Sequence, residues 1–155
     1  MDGSRRERVS GTGFYDSARR REVVVALGRH ATILQAEVHA VLRCAEILLE
    51  ENAVGRKITI CSDSQATLTA VGKPDITSQL VWECKKALNK LAEKSEVAFI
   101  WVPGHTGIKG NGKADQLLRI GAAGEYIGPK KVLGQAFCCI GLTIKSWIRT
   151  KHREY

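Results

Sequence analysis

Four acidic residues, Asp2, Glu37, Asp63 and Asp115, fall in four separate stretches of a 155-residue chain, each in a place where a carboxylate asks for a reason. Glu37 shares a helical stripe with Val41, Cys44 and Leu48, and a carboxylate on such a face is costly unless it meets a cation or a metal. The alternative is an edge position early in the helix, favoured by the helix dipole. Asp63 follows the strand-like run Lys57-Ile-Thr-Ile-Cys-Ser62, at the strand end where α/β sheets place their chemistry. Its alternative is an ordinary helix N-cap. Asp115 lies one turn into a helix that follows a loop with glycines 104, 107, 110 and 112 and a single imidazole, His105. Loops held by rigid elements are where catalytic groups usually sit. No cysteine or histidine cluster accompanies the acids, so the cation they suit is hard and oxygen-seeking, Mg²⁺ or Mn²⁺. Two such ions ~4 Å apart activate a water and stabilise the leaving oxygen of a phosphodiester. Neither a phosphate-cradling P-loop nor a Ser-His-Asp order is visible.

The elements that must position these groups are legible from periodicity. The chain opens Met1-Asp2-Gly3-Ser4, followed by a basic turn over 5–9. A strand start at 11–15 comes next, then a second basic turn at Arg19-Arg-Arg and a strand over 22–28. Three strands joined by short polar turns predict an antiparallel meander. Both arginine clusters read as solvated hairpin tips. Residues 33–52 give the clearest helix, with Thr32 as N-cap and His39 on the surface. A strand over 57–62 leads to a short helix over 64–71, a loop over 72–78, and an amphipathic helix over 79–94. That helix turns Leu80, Cys84, Leu88 and Leu91 inward and its lysines outward, with Trp82 as a packing residue. A buried strand over 97–102, the glycine loop and a helix over 111–121 follow. The order predicts an α/β fold, a mixed sheet flanked by helices.

Length and composition bound the rest. The chain makes one domain of 1–124 with a C-terminal linker and basic amphipathic helix over 125–155, Ile144, Trp147 and Ile148 forming its apolar side. A formal charge of +8 is compatible with an anionic partner such as nucleic acid. No apolar run approaches the ~18 residues of a membrane span, so no membrane role is expected. The five cysteines lack metal spacing. Cys44, Cys61 and Cys84 fall in apolar patterns and read as buried, reduced thiols, which points to an intracellular compartment, cytoplasm or nucleus.

The motifs MDGS (1–4), ATILQAE (31–37), CSDSQ (61–65) and WVPGHTGIKGNGKAD (101–115) resemble type 1 ribonuclease H. They are most similar to the ribonuclease H domains of jockey-like non-LTR retrotransposon reverse transcriptases. The resemblance implies a ribonuclease H-like, mixed five-stranded sheet and a metal-dependent endonuclease that hydrolyses the RNA strand of RNA–DNA hybrids. It further implies two Mg²⁺ ions, with Mn²⁺ able to substitute. Asp2 would bridge both, Asp115 would help hold the water-activating ion, and Glu37 and Asp63 would hold the other. His105 would assist proton movement and product departure. Gly3, Ser4, Thr32, Gln65 and Asn111 would touch the hybrid, in part through 2′-hydroxyls. The expected context is covalent linkage to a reverse transcriptase. Three features depart from the family pattern: only Met1 precedes the first acid, Gly112 stands where a Glu is expected, and no basic protrusion follows Asp63. The first implies a fragment of a longer polyprotein or a decayed genomic copy. Its alternative outcome is a catalytically inactive, nucleic-acid-binding remnant; an integrase-like transferase would lack the glycine–histidine loop.

Overall fold

The computed structural model describes residues 10–28, 31–104, 112–114, 116–117, 119–120, 144 and 148–149. Asp2, Gly3, Ser4, His105, Asn111 and Asp115 lie outside the described residues, as does the 125–155 tail apart from helical positions Ile144, Ile148 and Arg149.

The β-branched run Val23–Val25 sits in a hairpin of β1 (Ser10–Asp16) and β2 (Arg21–Gly28), paired antiparallel from Asp16↔Arg21 outward. Asp16 organises the turn, its carboxylate accepting from the Ala18 and Arg19 amides at 3.0 and 3.2 Å. This is the local side-chain bonding that makes Asp a turn residue. The arginine tip is not merely solvated. Arg19 and Arg21 grip opposite oxygens of Glu51 at 3.0 and 2.5 Å. Each pair keeps enough exposure that the two together contribute about 1 kcal/mol.

Helix α1 (Ile33–Glu50) opens with a reciprocal capping box. The Thr32 hydroxyl accepts from the Gln35 amide at 3.1 Å, and the Gln35 side chain accepts from the Thr32 amide at 2.9 Å. It ends in a Schellman-type turn: Asn52 adopts φ 50, its amide bonding Leu49 O, and the Ala53 amide bonds Leu48 O, both at 3.0 Å. Asn is one of the few non-glycine residues that accept this left-handed conformation at low cost. His39 is 1% exposed, which overturns its reading as a surface residue. The reason is that α1 is covered on two sides, by β1 and by the second helix partner described next, so its buried face is wider than one stripe.

After α1, β3 (Lys57–Ser62), α2 (Gln65–Gly72), α3 (Gln79–Ala92) and β4 (Glu96–Trp101) complete the described elements. Val38, Leu42 and Ala45 of α1 join Leu80, Val81, Cys84, Leu88 and Leu91 of α3 in one core. Ser95 fastens the crossover, donating to Ala53 O at 2.8 Å and accepting from the Arg56 amide at 3.3 Å. β3 and β4 pair in parallel, from Lys57↔Glu96 to Ser62↔Trp101.

The described strands form two two-stranded sheets; a five-stranded sheet is not seen among them, and residues 1–9 lie outside the described residues. β1 and β3 share no ladder, and a cavity of about 670 Å³ lies between them. β4 is half-covered rather than buried, with Ile100 and Trp101 exposed. Trp82 is 51% exposed and is not a packing residue. Of the three thiols read as buried, Cys84 is, Cys44 is half-buried, and Cys61 is exposed on β3.

Burial pushes the Cys84 thiol up to about 12, helped by Cys44 and Glu46. A group whose folded value lies above its unfolded one contributes stability that is complete below the unfolded value. That contribution is lost as pH climbs through the folded value. The window for Cys84 therefore runs from about 9 upward to about 12. Thermal melts at stepped alkaline pH should show Cys84→Ala losing less of its melting temperature across this window than the parent chain. Equal losses would mean that the buried thiol does not contribute.

Candidate active site at the strand ends

Glu37, in the first turns of α1, and Asp63, just past the C-terminal end of β3, both line the cavity. Asp63 stands two residues before the first residue of α2, and its carboxylate is not the helix cap. Ser64 caps instead, its hydroxyl accepting from the Thr67 amide at 3.2 Å and bonding the Thr67 hydroxyl at 2.9 Å. The Ser64 amide in turn bonds the Ser62 hydroxyl at 3.1 Å. This decides between the two sequence readings of Asp63 against the N-cap. The neighbour Ser64 is the residue that meets the helix amides.

The backbone beneath Asp63 is clamped from β4. The Trp101 indole donates to Asp63 O at 3.0 Å, and the Val102 amide donates to Ser62 O at 2.9 Å. The chain then turns so close that a Cβ placed on Gly104 would stand 2.9 Å from Asp63 Oδ2. A glycine is therefore required here by contact with the acid, not by its own torsion angles. Trp101 and Gly104 were visible in the sequence as parts of one motif, yet nothing in spacing alone marked either as a neighbour of Asp63.

Glu37 is held by the anchoring of α1. The Thr12 hydroxyl, 2% exposed, donates to Ala36 O at 2.7 Å, and this fixes the first turns of the helix against β1. Ala114 borders the same cavity, and Lys113 reaches Glu22 on β2 at 2.9 Å. Helical residues 112–114 are thereby joined to the hairpin. Asp115 is the next residue in the chain after Ala114. Of the other expected contact residues, Thr32 is committed to the capping box, and Gln65 is exposed at the start of α2.

The electrostatics favour oxygen chemistry. Cys44 lines the cavity, but burial, with the Asp16 carboxylate adding, pushes its thiol up to about 12. It stays protonated at neutral pH and is neither a nucleophile nor a soft ligand. Glu37 and Asp63 bring carboxylate oxygens to the lining of the cavity, donors that suit a hard divalent cation. Among the described residues no third His, Cys, Asp or Glu joins them. Residues 1–123 match the sequence model of the RNase H family, and the chain, sharing its α/β pattern, belongs to the ribonuclease H family.

Proposed function

We propose that the chain is a type 1 ribonuclease H that cuts the RNA strand of RNA–DNA hybrids. What supports this is that Glu37 and Asp63 line one cavity, with Ser64 as the cap of α2, in a chain whose residues 1–123 match the RNase H family. Asp2, Glu37, Asp63 and Asp115 would hold two Mg²⁺ ions, or Mn²⁺ in their place. The bound ions would supply Lewis acidity toward the attacking water and the leaving oxygen.

The chain's own residues have separate tasks. Glu37 and Asp63 present charge at fixed positions, one through the α1 anchor and the other through the Trp101 clamp. His105 would take up and release protons as product leaves. Gly3, Ser4, Thr32, Gln65 and Asn111 would contact the hybrid, and the excess of cations would draw in the phosphate backbone. We also place the domain, over 1–124, within a jockey-like retrotransposon protein covalently linked to its reverse transcriptase, acting in the cytoplasm or nucleus. The four-motif set MDGS, ATILQAE, CSDSQ and WVPGHTGIKGNGKAD supports that reading.

The direct test is cleavage of a labelled hybrid with Mg²⁺ or with EDTA. Asp63→Asn and Glu37→Gln should each lower the rate by about 10²–10³-fold, the scale of losing one preorganised charge-stabilising group. Salt-sensitive binding without turnover would instead identify the inactive remnant. A second readout needs no turnover. Mg²⁺ at ~100 times its dissociation constant should stabilise the parent fold by about 2.7 kcal/mol. Asp63→Asn should shrink that gain, and a full gain in the variant would remove Asp63 from the metal set.

Gly104 gives a more selective prediction. Gly104→Ala forces Asp63 or the loop to move by a few tenths of an ångström at least. Cleavage should drop by about tenfold or more, because small misplacements at a reacting site are costly. The urea midpoint should hardly change. An unaffected rate would show that the Asp63–Gly104 approach is incidental.

A further inference from the structure

Helix α3 carries a large aromatic side chain on its solvent face. Leu80, Val81, Cys84, Leu88 and Leu91 are buried, while Trp82 is 51% exposed, which leaves an area of about one indole face open to water. Successive helical residues turn by about 100°, so Gln79, Lys86, Asn89 and Glu93 share the side of Trp82. All four are exposed. Lys85 and Lys90 border this stripe, one on each flank. The indole serves neither of the structural features described above. The core cluster does not include it, and no residue of α3 lines the cavity.

The cations beside Trp82 are not taken up by ion pairs. None of the ion pairs among the described residues uses Lys73, Lys85, Lys86 or Lys90. Helical spacing puts Glu83 within reach of Lys86, yet its carboxylate accepts from Gln79 Nε2 at 3.0 Å instead. Lys85 is held in place, its Nζ donating to Lys73 O at 2.8 Å where α2 is capped. An ammonium has three N–H donors, so two remain for an anion. Over 73–94 the lysines outnumber the acids Asp75, Glu83 and Glu93.

A flat π surface beside ammonium groups selects a ligand that offers both a ring and an anion. Positions three and four apart on a helix are surface neighbours, with Cβ atoms about 5–6 Å apart. A base laid on the Trp82 indole therefore brings its own phosphate within reach of Lys85 or Lys86. Inside a duplex both faces of a base are already stacked, whereas an unpaired strand has a face to give.

We propose that the Trp82 face of α3 is a binding site for single-stranded nucleic acid. One base stacks on the indole, Lys85 and Lys86 take the adjoining phosphates, and Lys73 and Lys90 continue the cationic track. The site lies outside the cavity lined by Glu37 and Asp63. It goes beyond the nuclease reading and uses none of its metal-binding residues.

The test is binding of a labelled oligodeoxythymidine of about eight nucleotides, within the usual span of single-strand sites, to the full chain in EDTA. Anisotropy gives the affinity, and quenching of tryptophan emission reports the stack. Trp82→Ala should weaken binding by about 5- to 150-fold, the range for loss of one stacked base. Trp82→Phe keeps a ring, so it should retain much of the affinity while losing the quenching. Lys86→Gln, at an exposed position, should lower the slope of log affinity against log salt by about 0.7, one phosphate contact to a single strand. An abasic strand of the same length carries the phosphates without the bases. It should bind the parent chain more weakly than thymidine does, by the same factor as Trp82→Ala. Equal binding of the abasic and thymidine strands overturns the proposal, as does unchanged affinity in Trp82→Ala or quenching that persists in Trp82→Phe. If an oligoglutamate of equal charge displaces the thymidine strand as well as unlabelled thymidine does, the face is an acidic-peptide surface and the nucleic-acid assignment falls. The readout involves neither metal nor cleavage, so this site and the nuclease assignment fail independently.

Discussion

Among the described residues the β1–β2 hairpin shares no hydrogen-bond ladder with β3–β4, and its contacts with α1 are what fasten it. The fastening is polar and sits at both ends of the helix. A buried Thr12–Ala36 bond fixes the start, and the Arg19 and Arg21 contacts to Glu51 fix the finish. The buried bond is the more valuable of the two, because leaving a buried hydroxyl or carbonyl unpaired costs more than an exposed ion pair returns. Everything at the site end of the molecule inherits that choice. Glu37 follows Ala36 directly and takes its position from this anchor.

Asp63 is positioned by a different logic. Its side chain is placed by satisfying the needs of its neighbours elsewhere. Ser64 meets the exposed amides of α2, Ser62 meets the Ser64 amide, and Trp101 holds the Asp63 carbonyl. A carboxylate mounted on a rigid strand end and against a glycine is preorganised for charge at low entropic cost. Stability and site geometry thus come from separate residues. The α1–α3 core supplies the first, and the short polar chain around Ser62–Thr67 supplies the second.

Much of this was determined by sequence alone. β3 and β4 were located to within a residue, because short β-branched runs between turn residues have few alternatives. The α1 start was legible because Thr32 and Gln35 form a capping box that is entirely local. The four acids stood out because each occupied a position where burial or strand-end placement is costly. Tertiary structure decided the rest. Whether Asp63 caps α2 depended on Ser64, its equal as a capping residue, and only the folded geometry chose between them. His39 became buried because α1 has a partner on both sides, which one helix's periodicity does not reveal. Trp82 became exposed because α3 needs only one face for its core. The approach of Gly104 to Asp63 joins residues 41 positions apart, a proximity set by the parallel pairing of β3 with β4 and by no local rule.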